Sequence, residues 1–98
     1  MTNLLLDQIL SSKGRIKILR ILLEHTELSI SQIATLTKLN HNSVGDHLTQ
    51  LVRLAVLQEK VFGRIKVYRL CLEDPKVQAI KGLFILWEDN VSTNSELP

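Results

Sequence analysis

The chain of 98 residues is 45% apolar and 22% charged, which excludes a disordered tail and bounds the molecule to one small domain with one core. A domain this small has little room for a deep catalytic cleft and gains from a partner subunit; its lone cysteine, Cys71, excludes an internal disulfide. The formal net charge of +2 says little about partners, and the longest apolar run, residues 83–87, is far short of the roughly 20 residues of a membrane span.

In chain order, Leu4, Leu5, Leu6, Ile9 and Leu10 predict a short helix with one apolar side within residues 1–11. No signal peptide is read there, and a reducing cytoplasm is the expected location. Ser11 or Ser12 can cap the next helix, where Ile16, Ile18, Leu19, Leu22 and Leu23 recur at helical spacing as far as His25. Residues 24–29 read as a loop. A third helix starts at Ser29 or Ser31, carries Ile33, Ala34 and Leu36, and ends near Lys38. At about two turns it cannot be stable alone and must pack on the next segment of the chain.

Asn40 is the expected cap of a fourth helix, since its side-chain oxygen can accept from a backbone N–H two or three residues on. Val44, Leu48 and Leu51 fall at i, i+4 and i+7 and form one inward stripe. At about 100° per residue, Asn42, Asp46, Thr49 and Arg53 then point outward, with Ser43, Gly45 and Gln50 on the shoulders. His47 sits at the stripe's edge, where it is either half-buried and bonded within the domain or available for contact. After Leu54 the period becomes strand-like on either side of Gly63-Arg64, a pair that suits the centre of a type II′ hairpin turn and sets Leu57 opposite Leu70. Lys60, Arg64 and Lys66 lie at the tip, serving either edge protection or contact with a polyanion.

Charge is uneven along the chain. Across residues 38–70, Lys38, Arg53, Lys60, Arg64, Lys66 and Arg69 face only Asp46 and Glu59; from Cys71 onward acids predominate. The two parts therefore suit different partners. Asp74 and Pro75 can open a last helix, on which Val77, Ile80, Phe84, Trp87 and Val91 follow 3,4,3,4 spacing, widened by Leu83 and Leu86. That seam serves self-association or docking on its own domain. Residues 92–98 read as a polar tail.

The order of helix, short helix, turn, polar-fronted helix and basic hairpin resembles a winged helix-turn-helix and, more narrowly, the ArsR-like family of small transcription regulators. The likeness is carried by SKGRIKILRILL (residues 12–23) and by SISQIATLTKLNHNSVGDHLTQLVRLAVLQEKVFGRIKVYRL (residues 29–70). It implies a mostly α fold with a small β-hairpin, in which residues 12–72 form the DNA-binding unit; the apolar seam makes residues 73–91 the expected dimerisation helix. The resemblance also implies that the fourth helix enters the major groove of double-stranded DNA and that the wing meets the backbone or minor groove. Asn42, Ser43 and Gln50 are then base-side or phosphate contacts, accompanied by Asn40, His41, Asp46, His47 and Arg53, with Lys60, Arg64 and Lys66 from the wing. Val77, Ile80, Leu83, Phe84, Trp87 and Val91 would pair two copies into a homodimer.

Three departures bear on this. Asp46 stands where members commonly carry a basic or amide residue, and its carboxylate opposes phosphate unless it accepts from a cytosine amino group or pairs with Arg53. Ala55 replaces the usual glycine after the recognition helix, so a left-handed cap there is strained or replaced by another ending. The closely spaced cysteines, or carboxylate and histidine sets, of metal-sensing members are missing, and His41 and His47 stand roughly 120° apart around a helix. No cofactor, metal or nucleophile motif is read and no enzyme is expected. Two rival readings stay open: a winged-helix module that binds protein, and a regulator whose Phe84 and Trp87 line a pocket for an unknown small-molecule effector.

Overall fold

The computed structural model describes the backbone of residues 3–95 and the side chains of residues 6–88. Among the described residues the order is α1 (Asn3–Ile9), α2 (Lys13–Glu24), β1 (Leu28–Ser29), α3 (Ile30–Thr37), α4 (His41–Arg53), β2 (Leu57–Phe62), β3 (Ile65–Leu70) and α5 (Pro75–Ser95). The fold is mostly α with a small antiparallel sheet, as the sequence predicts. One difference is β1, placed by the sequence in a loop: it pairs Leu28 with Tyr68 and Ser29 with Val67, making the strand order β1-β3-β2. Two residues are too few to display a period of 2, and their partner lies far along the chain.

Local chemistry sets the helix ends. The Ser12 hydroxyl accepts from the Arg15 N–H at 3.1 Å. Ser29 and Gln32 form a reciprocal capping box at the start of α3. Between α3 and α4, Lys38 takes a left-handed φ of 60°, while the buried Thr37 hydroxyl donates to the Ile33 carbonyl at 2.7 Å and accepts from the Leu39 N–H at 3.3 Å. Asn40 Oδ1 then accepts from Asn42 N at 2.8 Å and from Ser43 N at 3.4 Å. These bonds hold the turn tight and fix the angle at which α4 leaves it.

Val44, Leu48 and Leu51 are fully buried against Ile18, Leu19 and Leu22 of α2, Ile33 of α3 and Leu57, Tyr68 and Leu70 of the sheet. The hairpin register is the predicted one, from Leu57 opposite Leu70 to Phe62 opposite Ile65. Gly63 has a φ of 62° and Arg64 no positive φ, the combination a type II′ turn requires.

At the end of α4 the left-handed cap is kept despite its side chain. Ala55 sits at φ 64°, its N–H donates to the Val52 carbonyl and the Val56 N–H to the Leu51 carbonyl, each at 3.0 Å. This is a Schellman ending with alanine where glycine is easiest. An L-residue there costs about 1–2 kcal/mol, part of which glycine forfeits through a freer unfolded chain. Ala55→Gly is expected to raise stability by about 1 kcal/mol and the Tm by about 4–8 °C, read by thermal unfolding at fixed protomer concentration.

The last helix opens where expected and departs from expectation in what its first turns bury and in where it ends. Asp74 caps it, Oδ1 accepting from Lys76 N at 2.8 Å, and Val77 and Ile80 are buried within the protomer core. Their assignment to a subunit interface is therefore corrected: the start of the apolar seam belongs to the protomer's own core. The backbone remains helical through Ser95, so residues 92–95 are not the polar tail expected, because polarity alone, without glycine or proline, does not end a helix. Residues 96–98 and the side chains of Leu4, Leu5 and Val91 lie outside the described residues.

Candidate nucleic-acid interface

The buried stripe of α4 turns a row of polar side chains to the outside. His41, Asn42, Ser43, Asp46, Gln50 and Arg53 are all exposed, and the Asn40 side chain beneath them is engaged in capping. Short side chains near a helix's amino end are suited to reach base edges and phosphates. Thr49 is partly committed, its hydroxyl donating to the Gly45 carbonyl at 2.9 Å. Among the described residues Asp46 makes no ion pair, so the expected alternative of pairing with Arg53 is not adopted.

His47 is bound within the domain. Arg15 of α2 donates through Nε to His47 Nδ1 at 3.1 Å, and Gly14 lies so near that a Cβ there would meet His47 Nε2 at 3.0 Å. Burial and the neighbouring Arg15 charge hold the imidazole pKa below its usual value, against a smaller opposing effect of Asp46. The neutral ring, with Nδ1 as acceptor, is the form this contact needs. Its contribution to stability is present above the ordinary histidine pKa and fades as pH falls through the lowered one. Arg15 also donates through Nη1 to the Gln8 carbonyl at the end of α1. Nothing in the sequence marks Arg15, because its partner is 32 residues away.

The wing divides its charges. Lys60 is drawn to Glu27, Nζ to Oε2 at 2.8 Å, so it braces the hairpin against the β1 segment. Among the described residues Arg64 and Lys66 carry no ion pair, and both are exposed. Across the strands the Arg69 guanidinium donates to Gln58 at 2.8 Å and the Tyr68 hydroxyl to Glu59 at 2.8 Å. Burial first, then that carboxylate, pushes the Tyr68 phenol up to about 12. Phe62 and Ile65 are exposed at the tip, a feature readable in the sequence FGRI, since residues flanking a two-residue turn stand farthest from the core.

Apolar side chains also stand exposed on α1 and α5. Trp87 is 65% exposed, Leu83 48% and Leu6 of α1 50%, while Phe84 is half-buried against the core. Leu10, Ile16, Arg20, Leu83, Phe84, Trp87 and Glu88 line an open groove of about 280 Å³ between α2 and α5, with an Arg20–Glu88 ion pair of 3.4 Å beside it. Cys71 is half-buried against the core. Among the described residues no three His, Cys, Asp or Glu side chains are grouped as metal ligands, and no helix is long and apolar enough to cross a membrane.

The chain matches the family model described as bacterial regulatory protein, arsR family, over residues 12–57. It is similar to the solved transcriptional repressor PagR of Bacillus anthracis, at 30% identity and a TM-score of 0.71, covering 85% of this chain and 91% of that one. The antimony-specific transcriptional repressor AntR is similar in fold, at 18% identity and a TM-score of 0.78 over 94% of this chain and 80% of that one. So is the homodimeric winged helix-turn-helix DNA-binding domain of a possible ArsR-family transcriptional regulator from Mycobacterium bovis, at 23% identity and a TM-score of 0.70 over 95% and 89% of the two chains. No curated protein sequence matches the chain.

Proposed function

Since this chain belongs to the arsR family of bacterial regulatory proteins, we propose that it is a homodimeric, sequence-specific double-stranded DNA-binding transcription regulator. In this reading α4 enters the major groove and the wing lies on the backbone and minor groove, with residues 12–72 as the DNA-binding unit. The observation that carries it is the outer face of α4: His41, Asn42, Ser43, Asp46, Gln50 and Arg53 exposed, backed by three fully buried anchors and accompanied by Arg64 and Lys66, which make no ion pair among the described residues. Asn42, Ser43 and Gln50 are the base-side or phosphate contacts, and Arg64 and Lys66 supply sequence-independent attraction. His47 acts through its bond to Arg15, and Lys60 through its bond to Glu27.

The homodimer is supported by the apolar surface of Leu83, Trp87 and Leu6, which a second copy would cover around a two-fold axis. Two recognition helices would then read half-sites about one helical turn apart.

Selection of bound fragments from a random duplex pool, with binding isotherms across salt concentrations, tests the reading. Arg64→Ala is expected to weaken binding to all sequences alike and to lower the salt slope by about one. Asn42→Ala is expected to alter preference at its base by about 1–3 kcal/mol. Isotherms unchanged by both substitutions would remove the assignment. The Asp46 carboxylate, without an ion pair among the described residues, favours a second reading, a protein-binding module, which predicts no salt-dependent retention on duplex DNA.

A further inference from the structure

We propose that Phe62 and Ile65 form an apolar wedge that enters the minor groove of the bound duplex and opens a base step there. The inference rests on the DNA-binding reading and extends it to a pair of residues and to a deformation of the partner.

Phe62 and Ile65 are cross-strand partners on either side of Gly63-Arg64, so both side chains stand on one face at the end of the hairpin. Each is 58% exposed, an unusual place for two bulky apolar groups. Their charge setting identifies what covers them. Arg64 lies within the turn and Lys66 opposes Val61 on the other face, while residues 61–66 contain no acid. An apolar tip bracketed by cations fits a slot whose walls are phosphates and whose interior is sugar C–H and base edges. The minor groove is such a slot.

Rigidity argues the same way. The Gln58–Arg69 and Glu59–Tyr68 bonds tie the strands together, the Lys60–Glu27 pair ties the hairpin to the domain, and β1 broadens its base. The tip is therefore held outward. Two strands lie about 4.8 Å apart before side chains are added, so the Phe–Ile pair exceeds a groove about 6 Å wide. Entry requires the groove to open, which bends the duplex toward the major groove. Flexible pyrimidine–purine steps yield most easily, so the wing confers a sequence preference at bases that α4 does not touch.

The test uses the full chain and a duplex selected by the wild-type protein, carrying dyes at its ends and 2-aminopurine at the step beneath the wing. Wild type is expected to bend the duplex and raise the 2-aminopurine emission. Phe62→Ala with Ile65→Ala should abolish both signals and weaken binding about tenfold, with an unchanged salt slope and thermal unfolding. Arg64→Ala should lower the salt slope yet keep the emission. If the double variant retains the emission and affinity of wild type, the wedge is overturned while the DNA-binding reading stands. A loss of affinity with full emission overturns it equally, and wild-type protein that retains no duplex overturns both.

Discussion

The Leu83→Glu, Trp87→Glu double variant is expected to sediment as a monomer at concentrations where the wild-type chain sediments as a dimer. Both side chains are largely exposed on the single protomer, so their replacement leaves its core intact. Val77 and Ile80, buried below them, keep α5 docked. In the proposed dimer each apolar side chain is worth about 1.5–3 kcal/mol when fully covered, and two-fold symmetry counts every loss twice. Because about half of each side chain is already covered in the single protomer, removing two such groups per protomer weakens association by about 3–6 kcal/mol, or about two to four orders of magnitude. Binding to a full two-half-site duplex should fall at least about 100-fold, since the second half-site loses its tethered reader. Binding to an isolated half-site should change little. A variant that remains dimeric by analytical ultracentrifugation would show that another surface joins the copies.

Leu48→Ala is expected to be the most destabilising single substitution on α4. Leu48 is 0% exposed and lies between Val44 and Leu51 in the stripe that holds α4 down. Truncating a leucine so placed costs about 2–5 kcal/mol, because the cavity it leaves closes only partly. Against a total of about 5–15 kcal/mol for a typical domain, that is a large fraction, with a Tm lower by about 8–40 °C. Gln50→Ala, two residues away on the exposed face, should stay within about 0.5 kcal/mol. Circular dichroism melts at one protomer concentration compare the two, and equal melting temperatures would mean that α4 is not anchored through this stripe.

Much of the fold is legible in the sequence because it is written in short-range chemistry. Ser12, Asn40 and the Asp74-Pro75 pair mark helix starts by offering acceptors or a preset φ. The i, i+4, i+7 apolar residues identify the inner side of α4, and Gly63 with the alternation around it sets the hairpin register. What escapes depends on residues distant in the chain. β1 exists only because β3 offers it an edge, and the Arg15–His47 bond joins residues 32 apart. On α5 one periodic stripe has two fates: Val77 and Ile80 are used inside the protomer, whereas Leu83 and Trp87 emerge from it. Periodicity reports an apolar face without reporting what covers it. At Ala55 the sequence raises a conflict between side chain and cap, and the backbone resolves it by accepting the positive φ.

The two bonds of Arg15 have a mechanical consequence. One guanidinium grips the last turn of α1 at the Gln8 carbonyl and the inner edge of α4 at His47, so it behaves as a short strut between the amino-terminal helix and α4. Any rearrangement that slides α1 must break the carbonyl bond or drag the guanidinium, and dragging it releases the imidazole. The setting of α4 is thereby coupled to the seating of α1.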